Sequence, residues 1–190
     1  GTLVPPHGKL LVLANGAYGE RMARIASIHR RRVAVLRTPE DVPNDVEALE
    51  AALRHDPEIT HVAAVHCETT SGLLNPIERI ARVVARYGRR LLIDAMSSFG
   101  ALPLDARSLP FEALAASANK CLEGVPGVAF VIARREALLA AEGHAPSLSL
   151  DLHDQYRAME SNGQWRFTPP TQVVAALHQA LLEHAKEGGI

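Results

Sequence analysis

The stretch KLLVLANGAYGERMARIASIHRRRVAVL, residues 9–36, reads as a strand, a turn, a helix and a second strand. Lys9 to Leu13 is a short, continuous apolar run of the kind that fills a strand buried on both faces. Asn15 to Gly19 turns the chain, and a helix is expected from about Glu20 to His29, with Met22, Ile25, Ala26 and Ile28 inward. Arg32 to Leu36 is again apolar. The basic run Arg30 to Arg32 between them reads as the solvated C-terminal end of that helix.

The same alternation continues. Asn44 stands where a cap for a helix over Asp45–His55 would be, with Val46, Leu49 and Leu53 at helical spacing. Ile59 to His66 is a third strand, followed by the hydroxyl-rich turn Cys67 to Gly72. Pro76 opens a helix through Tyr87, Arg90 to Asp94 is a fourth strand, Leu114 to Ser117 a fifth and Val128 to Ala133 a sixth. The sixth follows the fifth without a helix between them, so it can run antiparallel. Shorter helices over Arg134–Ala141 and Asp151–Glu160 precede a final amphipathic helix, Thr171 to Lys186. Strands alternating with helices imply an α/β fold: a mostly parallel sheet, right-handed crossovers and helices on both faces.

Bulk properties narrow the function. The chain has 190 residues, 47% hydrophobic and 22% charged, with a formal net charge of −1. That balance carries no electrostatic footprint for nucleic acid or an anionic membrane. No apolar run reaches the roughly 18–20 residues of a transmembrane helix. Two cysteines, Cys67 and Cys121, make neither a disulfide framework nor a metal site, which suits a reducing, cytoplasmic setting. The first residue is not Met, and the last follows closely on a long helix, so both ends read as cut.

Ligands of open α/β sheets bind beyond the carboxyl ends of the strands. Four polar turns fall there: Asn15–Gly19, Cys67–Gly72, Asp94–Gly100 and Asn119–Gly127. Lys120 is one of only three lysines, with Lys9 and Lys186, and sits between an Ala-rich strand and a loop containing Gly124, Pro126 and Gly127. An amine desolvated among small side chains has a lowered pKa and forms Schiff bases with carbonyls. A surface lysine in a turn has the same local sequence. Asp94 ends the apolar run Leu91–Ile93, where a carboxylate needs a cation, either an arginine of the chain or a cofactor nitrogen. Tyr18 can stack on a flat ring or pack over its loop. Thr69, Thr70 and Ser71 can bind a ring oxygen or a phosphate, or cap the next helix. His66 reads as a core histidine. The first turn lacks the G-x-G-x-x-G spacing of a dinucleotide site, and no P-loop, nucleophile elbow or metal motif is present.

On these residues the chain resembles the fold type I, class V pyridoxal-phosphate aminotransferases. The carrying segments are Asn15–Met22, His66–Pro76, Asp94–Gly100, Ser117–Gly124 and Gln164–Thr171, in that order along the chain. The resemblance implies a three-layer αβα fold with pyridoxal 5'-phosphate as cofactor. Lys120 would be its Schiff-base partner and proton carrier, and Asp94 the partner of the ring nitrogen. Tyr18 would stack on the ring, Thr69 would bond its phenolic oxygen side, Met96 would pack near it, and Asn119 would sit by the phosphate. Thr168, with Trp165 beside it, would reach the cofactor phosphate of the other subunit in a homodimer with shared active sites.

The implied reaction is amino transfer from 2-aminoethylphosphonate to pyruvate, giving phosphonoacetaldehyde and alanine. Alternatives are a donor–acceptor pair of the alanine–glyoxylate or serine–pyruvate kind, or an inactive piece of such an enzyme. Neither nucleic acid nor membrane enters that scheme. The resemblance also implies a division of the chain. Residues 1–150 would be the central part of the cofactor-binding large domain, and residues 151–190 an inter-domain and dimer-contact segment ending in its last helix. An upstream phosphate-cupping segment and a small C-terminal domain would lie outside the chain.

Overall fold

The computed structural model describes residues 1–190. Its main sheet contains β1 (Lys9–Ala14), β2 (Arg32–Arg37), β3 (Ile59–Val65), β6 (Arg90–Asp94), β7 (Ala113–Ser117) and β8 (Ala129–Ala133). Their order is β2-β1-β3-β6-β7-β8. All neighbours pair parallel except β8, which runs antiparallel to β7. Two further strands, β4 (Cys67–Glu68) and β5 (Leu73–Leu74), form a separate two-stranded antiparallel ribbon inside what the sequence suggests is a plain turn.

Alternation along β1 assigns the layers. Leu11 and Leu13 face α2 (Val46–His55) and α3 (Ile77–Arg86), in a core of 20 buried residues that includes Leu49, Leu53, Ile80 and Val84. Leu49 and Leu53 are almost wholly buried, each contributing about 1.5–3 kcal/mol of hydrophobic free energy. Leu10 and Val12 face α1 (Ala17–Ile28), where only six residues cluster. A smaller group on Leu3, Ala113, Ala137 and Ala141 brings in α4 (Arg135–Leu139). The chain ends in α5 (Leu152–Asn162) and α6 (Thr171–Lys186).

Three local expectations change. Helix α1 starts at Ala17 rather than near Glu20, and it buries Gly19, Ala23 and Ala26 while Ile25 and Ile28 are exposed. Small side chains let the helix lie close on β1, so its larger apolar residues point off the sheet. Asp45, not Asn44, caps α2, its Oδ1 accepting the Ala48 N–H at 2.9 Å. Asn44 is buried instead, with its backbone N–H donating to Asn75 Oδ1. Within the basic run, Arg31 is bound to the carbonyls of Val4, His29, Gly1 and His144, so it staples the N-terminal segment rather than standing in solvent.

Candidate active site

Parallel pairing places the carboxyl ends of four strands side by side, with Val65 opposite Asp94 and Asp94 opposite Ala115. Each polar turn leaves from this edge, and side chains tie the turns together in sequence. Asn15 and Asn75 exchange two amide bonds of 3.0 and 3.1 Å, fixing the first turn to the start of α3. The Thr69 and Ser97 hydroxyls are 2.5 Å apart, which joins the second turn to the third. Behind them the buried His66 Nδ1 lies 2.9 Å from Ser98 Oγ, the satisfied core histidine of the sequence reading. Burial holds its pKa below the usual histidine range. The Cys121 thiol donates to Ser97 O at 3.4 Å, which joins the fourth turn to the third. Gly100 has φ 97°, and a Cβ there would stand 2.6 Å from Leu122 Cδ2, so only glycine lets these two loops meet.

Asp94 is half-buried. Met96 N–H donates to its Oδ1 at 2.9 Å, and no cationic side chain pairs with it. Burial raises its pKa, Met96 N–H opposes that, the Glu68 charge adds to it, and Arg21 opposes it from further away. Tyr18 is partly exposed on the first turn of α1, with the Arg21 guanidinium 4.7 Å from its ring centroid. Tyr18, Thr69, Asp94 and Met96 therefore belong to one knitted edge, with Asn119 and Lys120 on the adjoining loop.

Lys120 departs from the expectation of a desolvated amine. The turn after β7 lifts it and Asn119 above the sheet edge, and both are exposed. Lys9, by contrast, is held by Asp56. The Lys120 amine makes no hydrogen bond or ion pair with the chain, whose only bond to this residue is from Glu123 N–H to its carbonyl. No hydrogen bond ties Trp165 or Thr168 to these turns. They stand exposed on a segment whose Arg166 is bound to Leu148 O and Asp151 O.

The residue that sequence reasoning passed over is Glu68. It has no exposed surface. Its Oε1 accepts from Thr70 Oγ1 at 2.8 Å and from the backbone N–H groups of Tyr18 and Thr70 at 3.4 Å. Its Oε2 accepts from Gly19 N–H at 3.3 Å. Gly16, the N-cap of α1, offers no side chain, and a Cβ there would fall 2.4 Å from Glu68 Cγ. The available signal was a glycine where a capping side chain is usual.

The fold and this edge define a three-layer α/β domain with an unengaged lysine, a cation-free aspartate and an aromatic ring gathered at the carboxyl ends of parallel strands. The chain belongs to the aminotransferase class-V family, whose model matches residues 4–190. It is 59% identical over 190 residues to the 2-aminoethylphosphonate–pyruvate transaminase of Pseudomonas putida strain W619, a match covering 100% of this chain and 52% of that protein. It is 57% identical to the protein of the same name from Pseudomonas aeruginosa, covering 100% of this chain and 51% of that one. The chain thus spans about half the length of the curated relatives it matches. Among solved structures it is similar to pyridoxamine–pyruvate aminotransferase from Mesorhizobium loti, with TM-score 0.90 and 28% identity, over 98% of this chain and 48% of that one. Alanine–glyoxylate aminotransferase from Nostoc sp., at TM-score 0.86 and 22% identity over 98% and 50% of the two chains, shares the fold. No helix is long and apolar enough to cross a membrane.

Proposed function

We propose that this chain carries the cofactor-binding half of a cytoplasmic pyridoxal-phosphate transaminase that moves an amino group from 2-aminoethylphosphonate to pyruvate. The substrates are inferred from the relatives at 57–59% identity. One observation carries the cofactor assignment. Asp94 has a carboxylate oxygen free of protein partners and no cation beside it, at the edge where Lys120 is also unpaired. That donor set fits pyridoxal phosphate, which has a basic ring nitrogen for an acid, a carbonyl for an amine and a flat face for an aromatic ring.

When bound, pyridoxal phosphate supplies an electron sink for charge developing on the donor carbon next to nitrogen. The chain's residues do the rest. Lys120 Nζ would hold the cofactor through its carbonyl carbon and, as a free amine, would serve as the acid and base that moves the proton. Asp94 would hold the ring nitrogen in its protonated form. Tyr18 would cover one ring face, Met96 would pack beside it, Thr69 Oγ1 would hold the phenolic oxygen side and Asn119 would lie towards the phosphate. Exposure of Trp165 and Thr168 suits a role at the phosphate of a partner subunit in a homodimer. In this reading residues 1–150 form the central large domain and residues 151–190 the inter-domain and dimer-contact segment.

The test is covalent. Purified protein is mixed with pyridoxal phosphate, its visible band recorded, and the adduct reduced with borohydride and mapped. The label is expected on Lys120. K120A is expected to keep its far-UV circular dichroism and lose both label and turnover. Turnover retained in K120A would refute the assignment.

A further inference from the structure

We propose that Glu68 is a positioning residue that sets Tyr18 and the Thr69–Thr70 turn against Asp94, an inference that rests on the cofactor reading above. An N-terminal helix cap is ordinarily supplied by the residue at the cap itself. Here Gly16 cannot supply it, and the acceptor comes from another part of the fold, 50 residues from Tyr18 and 49 from Gly19. The bond from Gly19 N–H to Glu68 Oε2 ties down the first turn of α1. The bond from Tyr18 N–H to Oε1 fixes the backbone of the residue proposed to stack on the ring.

The same Oε1 receives the Thr70 hydroxyl, and Thr70 Oγ1 in turn accepts Ala17 N–H at 3.4 Å. One carboxylate, together with the Thr70 hydroxyl, therefore joins the two turns. Next to Thr70, Thr69 reaches Ser97 in the Asp94 loop, so the chain of contacts runs Tyr18, Glu68, Thr70, Thr69, Ser97. A cap alone needs neither the hydroxyl bond nor a fully buried anion without a cation. The partial positive charge at the N-terminus of α1 offsets part of that burial. Glu68 also acts on Asp94 through space, its charge favouring the protonated acid. The carboxylate thus touches the geometry of the ring-stacking residue and the electrostatics of the ring-nitrogen partner, while itself lying behind both.

Pyridoxal phosphate is titrated into wild-type protein, E68Q, E68A and T70V, following visible absorbance, induced circular dichroism of the bound chromophore, far-UV circular dichroism and thermal melting. E68A strands three N–H donors, and a loss of about tenfold or more in cofactor affinity is expected, with most of the induced signal. E68Q keeps the Oε1 acceptor but turns an NH₂ towards Gly19 N–H, so it should fall between wild type and E68A. T70V removes the hydroxyl bond to Glu68 and the acceptor for Ala17 N–H, and should weaken affinity and induced signal in the same direction with only a small fall in melting temperature. Wild-type affinity and induced signal in both E68Q and T70V would overturn the inference. So would an E68A defect that is only loss of helix while T70V matches wild type. Should E68A and E68Q fail to fold, T70V decides alone. Borohydride labelling of wild-type Lys120 separates the two levels. Label present with unaffected variants refutes only the role of Glu68, and no label in wild type refutes both.

Discussion

At the amino edge of the sheet, the buried Glu112 has a cation built in: Arg90 Nη1 lies 3.0 Å from Oε1, with His61 Nε2 3.1 Å from Oε2. His61 is itself held from behind, with Thr60 Oγ1 2.8 Å from its Nδ1. At the carboxyl edge of the same strands, Asp94 and Glu68 are bound only by N–H and hydroxyl groups of the chain. Removing a carboxylate from water is costly in either place. Where the fold offsets that cost internally, the residue holds the structure together. Where it does not, the proposed function leaves the charge for the cofactor, at a cost in stability.

The comparison is broken most directly by neutralising one carboxylate at each edge. D94N keeps the acceptor for Met96 N–H and removes only the charge. Turnover is expected to fall by about 10²–10³, since a preorganised charge partner is lost, with far-UV circular dichroism and melting close to wild type. The measurement is kcat for donor and acceptor at saturating cofactor. A drop of less than about threefold would mean that Asp94 is an ordinary half-buried acid and that the two edges do not differ in kind.

E112A is the counterpart. It leaves His61 facing an unfilled apolar space, and a stability loss of about 2–4 kcal/mol is expected by denaturant unfolding, towards the lower end because Arg90 is half-exposed and screened. Activity per folded molecule should be unchanged. A variant as stable as wild type would show that the amino-edge pair is incidental, and one with altered kcat would show that the two edges communicate.

Much of this contrast could be read from residues alone, and the unread part has a physical reason. The inner strands β1, β3, β6 and β7 announce themselves as largely apolar runs, because strands covered on both faces have no polar side to alternate, while β2 and β8 are apolar yet only partly covered. Asp94 was legible since it interrupts such a run. Lys120 was legible by its rarity, but its exposure was not, because a tight turn after β7 decides whether the side chain sinks or stands, and neighbouring alanines do not report that. Glu68 looked like any acid in a hydroxyl-rich loop. It is buried only because the β4–β5 ribbon folds over the start of α1, a contact made across about 50 positions. The exposed Ile25 and Ile28 mislead in the opposite direction. Helical spacing marks an apolar stripe, and the close approach of Ala23 and Ala26 to β1 rotates that stripe off the sheet.

The smallest expected effect sharpens the comparison without any catalysis. Burial raises the pKa of Asp94 above its ordinary value of 3.8, so in cofactor-free protein the charged form is disfavoured in the fold relative to the unfolded chain. At neutral pH that penalty is fully present. As the pH falls through the raised value, the native Asp94 takes up a proton before the unfolded chain does, and the penalty fades. It is gone once the pH is below 3.8 and both states are protonated. D94N never carries the charge, so it should be slightly more stable than wild type at neutral pH, by less than about 1 kcal/mol. The gap should close as the medium is acidified towards 4. Parallel melting curves of the two proteins from pH 7 to pH 4 measure it. A gap that widens on acidification would mean the Asp94 carboxylate is stabilised in the fold, as by an unnoticed cation, and would remove the physical ground for reserving it for a ring nitrogen.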